Sequence, residues 1–365
     1  MTAGVARGVS AGTATALRAT GQAALLATAR RALGTAAPDA MVSNAGGPPI
    51  EIAHDAHDGA RLVPARLIEG DRVRAHVVRG EPDATFSAFL DGIQRTERIG
   101  YLGIAPILLG TVAAVVRERH ESRLRTWRGG FVREVRVYLP QALLPASVTA
   151  YFEAIGFEVA DTLGGAPSGS VVPGRTASDP AGAAASVTVG EHHPLELERA
   201  AYDAIRRHRG AMERALANAW VARGEGALYV DGPLPGDDAS RSRHVCGVVK
   251  SHRELQVSGE ALGIVLALGA GERSSVIVRD SATRVAVATW YVRVRDPSGY
   301  HPLWGLVRVE ATLDANELPM ALSARADECS RMVLAESRPL SLPDSRWDVM
   351  AYPIRDCEEF LRASL

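Results

Sequence analysis

Between residues 84 and 140 the chain strings together four apolar runs: ATFSAFLDG (84–92), RIGYLGIA (98–105), PILLGTVAAVVRER (106–119) and FVREVRVYLP (131–140). β-Branched residues crowd these runs and glycines separate them, which is the composition of buried strands. Short links leave no room for crossover helices, so consecutive runs are expected to pair antiparallel as a meander. The first run is expected to end at Asp91-Gly92, because Asp-Gly is a common turn signal. A chain carrying this block has to build itself around a sheet.

Helical patterns flank the block. LRATGQAALLATARRAL (17–33) places its apolar residues at helical spacing. It reads as an amphipathic helix rather than a transit peptide, although no acidic residue precedes Asp39, and it is a candidate dimer contact. SNAGGPPIE (43–51) reads as a loop. Beyond the block, Gln141 to Phe157 reads as a helix. LGGAPSGSVVPGRTASDPAGAAAS (163–186) has the Gly, Pro, Ser and Ala content of a mobile linker without periodicity. Pro194 suits the first turn of a helix running to about Val221. That helix leads into ALYVDGPL (227–234), a strand stopping at a second Asp-Gly, and then into HVCGVVK (244–250). Further strands are expected at 274–280, 283–296 and 302–313, with a helix from Pro319 to Ser337 and a closing helix after Pro353. The division this suggests is a helical and extended region over 1–80 and one α/β domain over 81–365, interrupted by a flexible insertion at about 163–190.

Asp91 and Asp231 each close an apolar run and precede glycine. Either one alone reads as a turn. Together, on strands whose order makes them neighbours, two carboxylates can converge on a hard cation. The helix between them adds Glu213, about 20° from Trp220 and about 60° from Leu216 around the helix axis, on the side facing the sheet. Burying a glutamate there is costly unless it is paired or bound to metal, and Arg209 or Arg206 is the plain partner. Strand with Asp, two antiparallel strands, an insertion, helix with Glu, strand with Asp is the order expected of an RNase H-like α/β core with additional strands. Mn²⁺ or Mg²⁺ held by Asp91, Glu213 and Asp231 would activate water against a phosphodiester.

Composition narrows the rest. Of 41 basic residues only Lys250 is lysine, and it ends the strand that comes after the Asp231 strand. An ammonium is a compact charge that can approach a single phosphate oxygen or water, whereas a guanidinium is wider. A net charge of -1 argues against coating nucleic acid by bulk basicity, but Arg117, Arg119, Arg123, Arg125 and Arg128 can still make a groove positive. Three widely spaced cysteines, Cys246, Cys329 and Cys357, suggest a reducing compartment and hence the cytoplasm. No run approaches the roughly 18 apolar residues of a membrane span. HExxH and paired CxxC motifs are absent, so zincin and zinc-ribbon readings have no support.

FLDGIQRTE, the Glu of AMERALANAW, ALYVDGPL, GVVKSH and the terminal RWDVMAYPIRD together resemble NurA nucleases over roughly residues 84–365. The resemblance implies a manganese-dependent DNA nuclease, a dimer, working with a HerA-like hexameric ATPase in end processing or phage defence. It also implies that Asp91, Glu213 and Asp231 bind metal and that Tyr352 matches the C-terminal site position. Two departures stand out: Asp-Gly-Ile replaces the more common Asp-Gly-Ser, and Lys250 does not align securely with the family's lysine. The alternative from another class is a non-catalytic subunit binding DNA ends or the translocase. Convergence of three carboxylates separates the two readings. Among other candidates, His192-His193 reads as a solvated loop, His252 as a surface histidine, and Asp356 as a helix cap, with Asp348 a substitute ligand. Trp290, Tyr291, Tyr300 and Trp304 divide between core packing and base stacking.

Overall fold

The apolar block forms three very long strands instead of four short ones. The computed structural model describes residues 21–43, 59–63, 65–80, 85–121, 123–164, 192–224, 226–234, 238–279, 286–313, 317–337, 349 and 351–365. Its elements begin with α1 (Gln22–Ala36), β1 (Met41–Val42), β2 (Arg61–Leu62), β3 (Arg66–Leu67) and β4 (Ala75–Val77). The meander follows as β5 (Ala88–Leu102), β6 (Ala105–His120) and β7 (Arg123–Leu139), then α2 (Ala146–Ala154) and β8 (Glu158–Asp161). Next come α3 (Pro194–Arg223), β9 (Leu228–Asp231), β10 (Val245–Val249), β11 (Glu254–Leu255) and α4 (Gly259–Leu266). The chain closes with β12 (Glu272–Ser274), β13 (Ile277–Arg279), β14 (Val287–Arg293), β15 (Leu306–Thr312), α5 (Pro319–Glu336) and α6 (Tyr352–Ser364). The linker at 163–186 and the loop at 43–51 lie, apart from their first residues, outside the described residues.

One large mixed sheet organises the fold, in the order β3-β13-β14-β15-β10-β9-β5-β6-β7-β8, with β1 beside β5 and β12 joining β14 to β4. β5, β6 and β7 are antiparallel; β9 lies parallel to both β5 and β10; β15 turns antiparallel against β10. The protein is therefore an α/β fold with extra strands, and the short strands before residue 80 belong to its sheets.

Asp91-Gly92 is not a strand end. Asp91 pairs with Val115 and Gly92 with Ala114, and the ladder continues to Leu102 opposite Ala105. The reversal comes instead at Gly103, whose φ of 59° lies in the left-handed region. An Asp-Gly pair turns the chain only where no neighbouring strand pairs through it, and β6 does so along the whole length of β5.

Helices cover both faces. α3 lays Ile205, Leu216, Ala217 and Trp220 against Leu90, Val112, Ala114 and Leu228. Its N-terminus is capped by His193, whose Nδ1 accepts from the Leu195 N–H at 3.1 Å, so His193 serves the helix. On the opposite face α5 and α6 bring Leu322, Cys329, Val333, Ile354, Cys357 and Leu361 against Phe89, Tyr229, Cys246 and Val248. α1 covers the far half of the meander: Leu25, Ala29 and Leu33 are buried among Ile99, Ile107, Leu109, Val137 and Phe152. These three residues of the apolar stripe therefore pack on the meander.

β9 and β10 are parallel, so residues 232–244 must cross over to the next strand. The crossing passes tightly over Gly247: a Cβ there would meet Gly232 O and Leu234 N, both at 2.8 Å. Gly232 still donates to Val248 O at 3.0 Å, and the close approach lets the chain turn over β10 directly after it.

Candidate active site

Sheet register brings the two aspartates together. β5 and β9 run parallel with Leu90 opposite Val230, so the next residues, Asp91 and Asp231, lie side by side on the face shared with Phe89 and Tyr229. A cleft of about 430 Å³ opens here, lined by Asp91, Gly92, Ile93, Arg209, Glu213, Asp231, Glu358 and Arg362. Oxygen atoms of Asp91, Asp231 and Glu358 all lie within 4.8 Å of one another.

The carboxylates come from four elements and two faces of the sheet. Asp91 and Asp231 sit on strands, Glu358 arrives on α6 from one face, and Glu213 arrives on α3 from the other. Glu213 reaches over Gly92, where an added Cβ would collide with its carboxylate. Its Oε1 lies 3.4 Å from Arg209 Nε, the pairing that helical spacing suggested. Glu213 therefore lines the cleft, but its oxygens do not join the tight group formed by the other three.

Cations answer most of this charge. Lys250, one residue past β10 and 12% exposed, places Nζ 2.8 Å from Asp231 Oδ1. Arg362 lies 2.9 Å from Glu358 Oε2, one helical turn away on α6. Asp91 accepts the Gly92 N–H at 2.7 Å. Burial, followed by the charge of Asp231, still pushes its carboxyl up to about 8, against the opposing pull of Gly92 N–H and Lys250. Burial also raises Glu213, and Asp231 adds to the rise, while Arg209 pulls the other way. The donor set is oxygen only, crowded and short of one positive charge, which suits a hard divalent cation.

Several candidate residues fall elsewhere. Tyr352 begins α6, is 60% exposed and does not line the cleft; Glu358, further along the same helix, does. Asp356 is no helix cap: it lies inside α6, 2.6 Å from Arg117 Nε. Asp348 lies outside the described residues. His252 donates from Nε2 to Leu306 O at 2.8 Å and does not line the cleft. Three arginines of the 117–128 cluster have carboxylate partners: Arg117 with Asp356, Arg119 with Glu336 and Arg125 with Glu118. Trp290 and Tyr291 are core residues, 1% and 0% exposed.

Glu358 escaped the sequence reading although the signal was present. On α6 the buried residues are Pro353, Ile354, Cys357 and Leu361, and Glu358 falls on their side of the helix. The test that picked out Glu213, a carboxylate on an apolar stripe, applies equally to it.

No protein-family model matches the chain, and no curated protein does. Among solved structures it is similar to the crystal structure of the NurA nuclease from Sulfolobus solfataricus, at 9% identity over 81% of each chain and a TM-score of 0.42. Among the described residues no helix is long and apolar enough to cross a membrane.

Proposed function

We propose that this protein is a metal-dependent deoxyribonuclease whose centre is the cleft between β5, β9, α3 and α6. The observation that carries the reading is the convergence of Asp91, Asp231 and Glu358 oxygens within 4.8 Å in an open cleft bordered by cations. In this reading the β7-β6-β5-β9-β10 portion of the sheet is an RNase H-like core, with the strand order and directions expected of one.

Asp91, Asp231 and Glu358 would hold Mn²⁺ or Mg²⁺, with Glu213 at the border. A cation held there would supply Lewis acidity toward water and offset negative charge on a phosphodiester. The chain's own residues do the positioning. Arg209 and Arg362 flank the carboxylates and can attract the phosphate backbone, while Lys250 orients Asp231 and offers a compact charge to a phosphate oxygen. Gly92 lets Glu213 approach the β5 backbone closely. The motifs that resemble NurA extend the proposal to DNA ends or single strands, a HerA-like ATPase partner and a homodimer.

A non-catalytic DNA-end or translocase-binding subunit would not need carboxylates crowded against their own electrostatic preference. End-labelled single- and double-stranded DNA incubated with Mn²⁺, Mg²⁺ or EDTA tests the choice. Wild type should cleave only with metal, and Asp231→Ala should lower the rate by at least about a hundredfold. Lys250→Arg should also slow cleavage, because a guanidinium cannot occupy the same compact position. Binding of DNA without cleavage under every condition, with and without an ATPase partner, would favour the subunit.

A further inference from the structure

The hairpin between β14 and β15 ends in a loop, residues 294–305, that carries an exposed aromatic stack. Tyr300 and Trp304 have ring centroids 4.4 Å apart and planes 14° from parallel, and Tyr300 is 59% exposed. We infer that this pair is a stacking platform for an unpaired base of the same nucleic-acid strand whose backbone enters the carboxylate cleft. The identity of that strand rests on the nuclease reading; the platform's geometry does not.

Placement is the first argument. β15 runs antiparallel to β10 with Arg308 opposite Val249, and β10 runs parallel to β9 with Val248 opposite Asp231. The loop preceding β15 therefore leaves the sheet at the edge where Asp231 and Lys250 stand. His252, two residues after Lys250, bonds through Nε2 to Leu306 O, two residues after Trp304. From β9 to β15 is two strand spacings, roughly 10 Å across the sheet. Open α/β sheets bind their ligands outside the carboxyl ends of such strands.

Preorganisation is the second. Arg293 is fully buried, and its guanidinium donates to the carbonyls of Leu266, Leu268, Pro302 and Trp304. A buried cation thus pins both the end of α4 and the aromatic loop. Within the loop Tyr300 N–H donates to Pro297 O and Trp304 N–H to His301 O, at 2.9 and 2.8 Å. Asp296 Oδ1 accepts from the Ser298 N–H and hydroxyl. Gly305, at φ 61°, passes so near the Arg295 backbone that a Cβ would meet Arg295 O at 2.8 Å. The rings are held before any ligand arrives, which lowers the ordering cost of binding.

Chemistry is the third. Trp290 and Tyr291 on the same hairpin are buried core, so exposure of Tyr300 is a property of the loop rather than of the element. With one face of Tyr300 against Trp304, the 59% of the residue that remains exposed offers surface to a third planar ring. Stacking on such a face accepts any base, which fits a strand passing through in sequence-independent fashion.

Binding in EDTA, followed by fluorescence anisotropy of a labelled single-stranded oligonucleotide and an abasic strand of equal length, tests the platform. Tyr300→Ala should weaken binding of the base-bearing strand on the order of tenfold. Tyr300→Phe should retain it, and the abasic strand should bind all three proteins alike. Equal affinity of Tyr300→Ala and wild type, equal losses for both strands, or no single-strand binding by wild type would overturn the inference. Digestion of the same strands with Mn²⁺ separates the two readings. Base-dependent binding without cleavage, with and without an ATPase partner, sinks the nuclease alone, whereas metal-dependent cleavage with Tyr300-independent binding sinks the platform alone.

Discussion

Two clusters of charge lie within this fold, and they are built on opposite principles. Around Arg273, which is 1% exposed, each carboxylate is bonded directly to one buried cation: both Glu69 oxygens accept from its guanidinium at 2.8 and 3.0 Å, Asp327 lies at 2.5 Å, and Ser323 Oγ at 3.0 Å. Burial raises the Glu69 carboxyl, but the bonds from Arg273 and Ser323 outweigh it and hold the group below its ordinary range. In the cleft, four carboxylates meet three cations, and Asp91 is pushed up to about 8. The first cluster locks β12, α5 and the segment after β3 together. The second holds like charges against their preference, which is how a site gains affinity for an ion it has yet to bind.

Breaking the Arg273 cluster should have the largest effect on stability. Arg273→Met leaves two carboxylates without their cation in a buried setting and should cost about 3–5 kcal/mol, read from urea unfolding midpoints. Acid should erode the same cluster. Glu69 has a folded pKa below its unfolded one, so its contribution is present above the unfolded value, about pH 4, and is lost as pH falls through the folded value. Unfolding midpoints of wild type and Glu69→Gln should therefore converge as the solution is acidified through that window.

The cleft should respond with the opposite sign. Asp91→Asn removes a charge that burial and Asp231 disfavour, so the metal-free protein should gain about 1–2 kcal/mol in thermal unfolding while losing cleavage. A loss of stability instead would mean that Asp91 is as well matched as Glu69. The smallest stability change is expected from Gly92→Ala, below about 1 kcal/mol, because the added methyl can displace the flexible end of Glu213. Its cleavage rate should nevertheless fall alongside that of Glu213→Gln, as measured by digestion with Mn²⁺. Full activity in Gly92→Ala would remove Glu213 from the working site.

The sequence by itself determined the order of elements and the partnership of Asp91 with Asp231. Apolar runs with β-branched residues have to pair, and the helix 194–223 has to return the chain to a strand beside the first; these are local and topological constraints. It also showed that Glu213 faces the sheet and that Lys250 follows the Asp231 strand. Only the tertiary structure decided that β5 runs through Asp91-Gly92, because continuous pairing with β6 overrides a local turn signal. Long-range docking likewise decided that Glu358, rather than Tyr352, enters the cleft: periodicity tells which side of α6 is buried, but not which point of the sheet that side meets. The same holds for the Tyr300–Trp304 stack, whose position at the sheet edge where Lys250 stands depends on strand register and on Arg293 reaching four carbonyls from two separate segments. Contacts set by neighbours in sequence are legible from spacing, whereas contacts set by how finished elements pack require their relative positions.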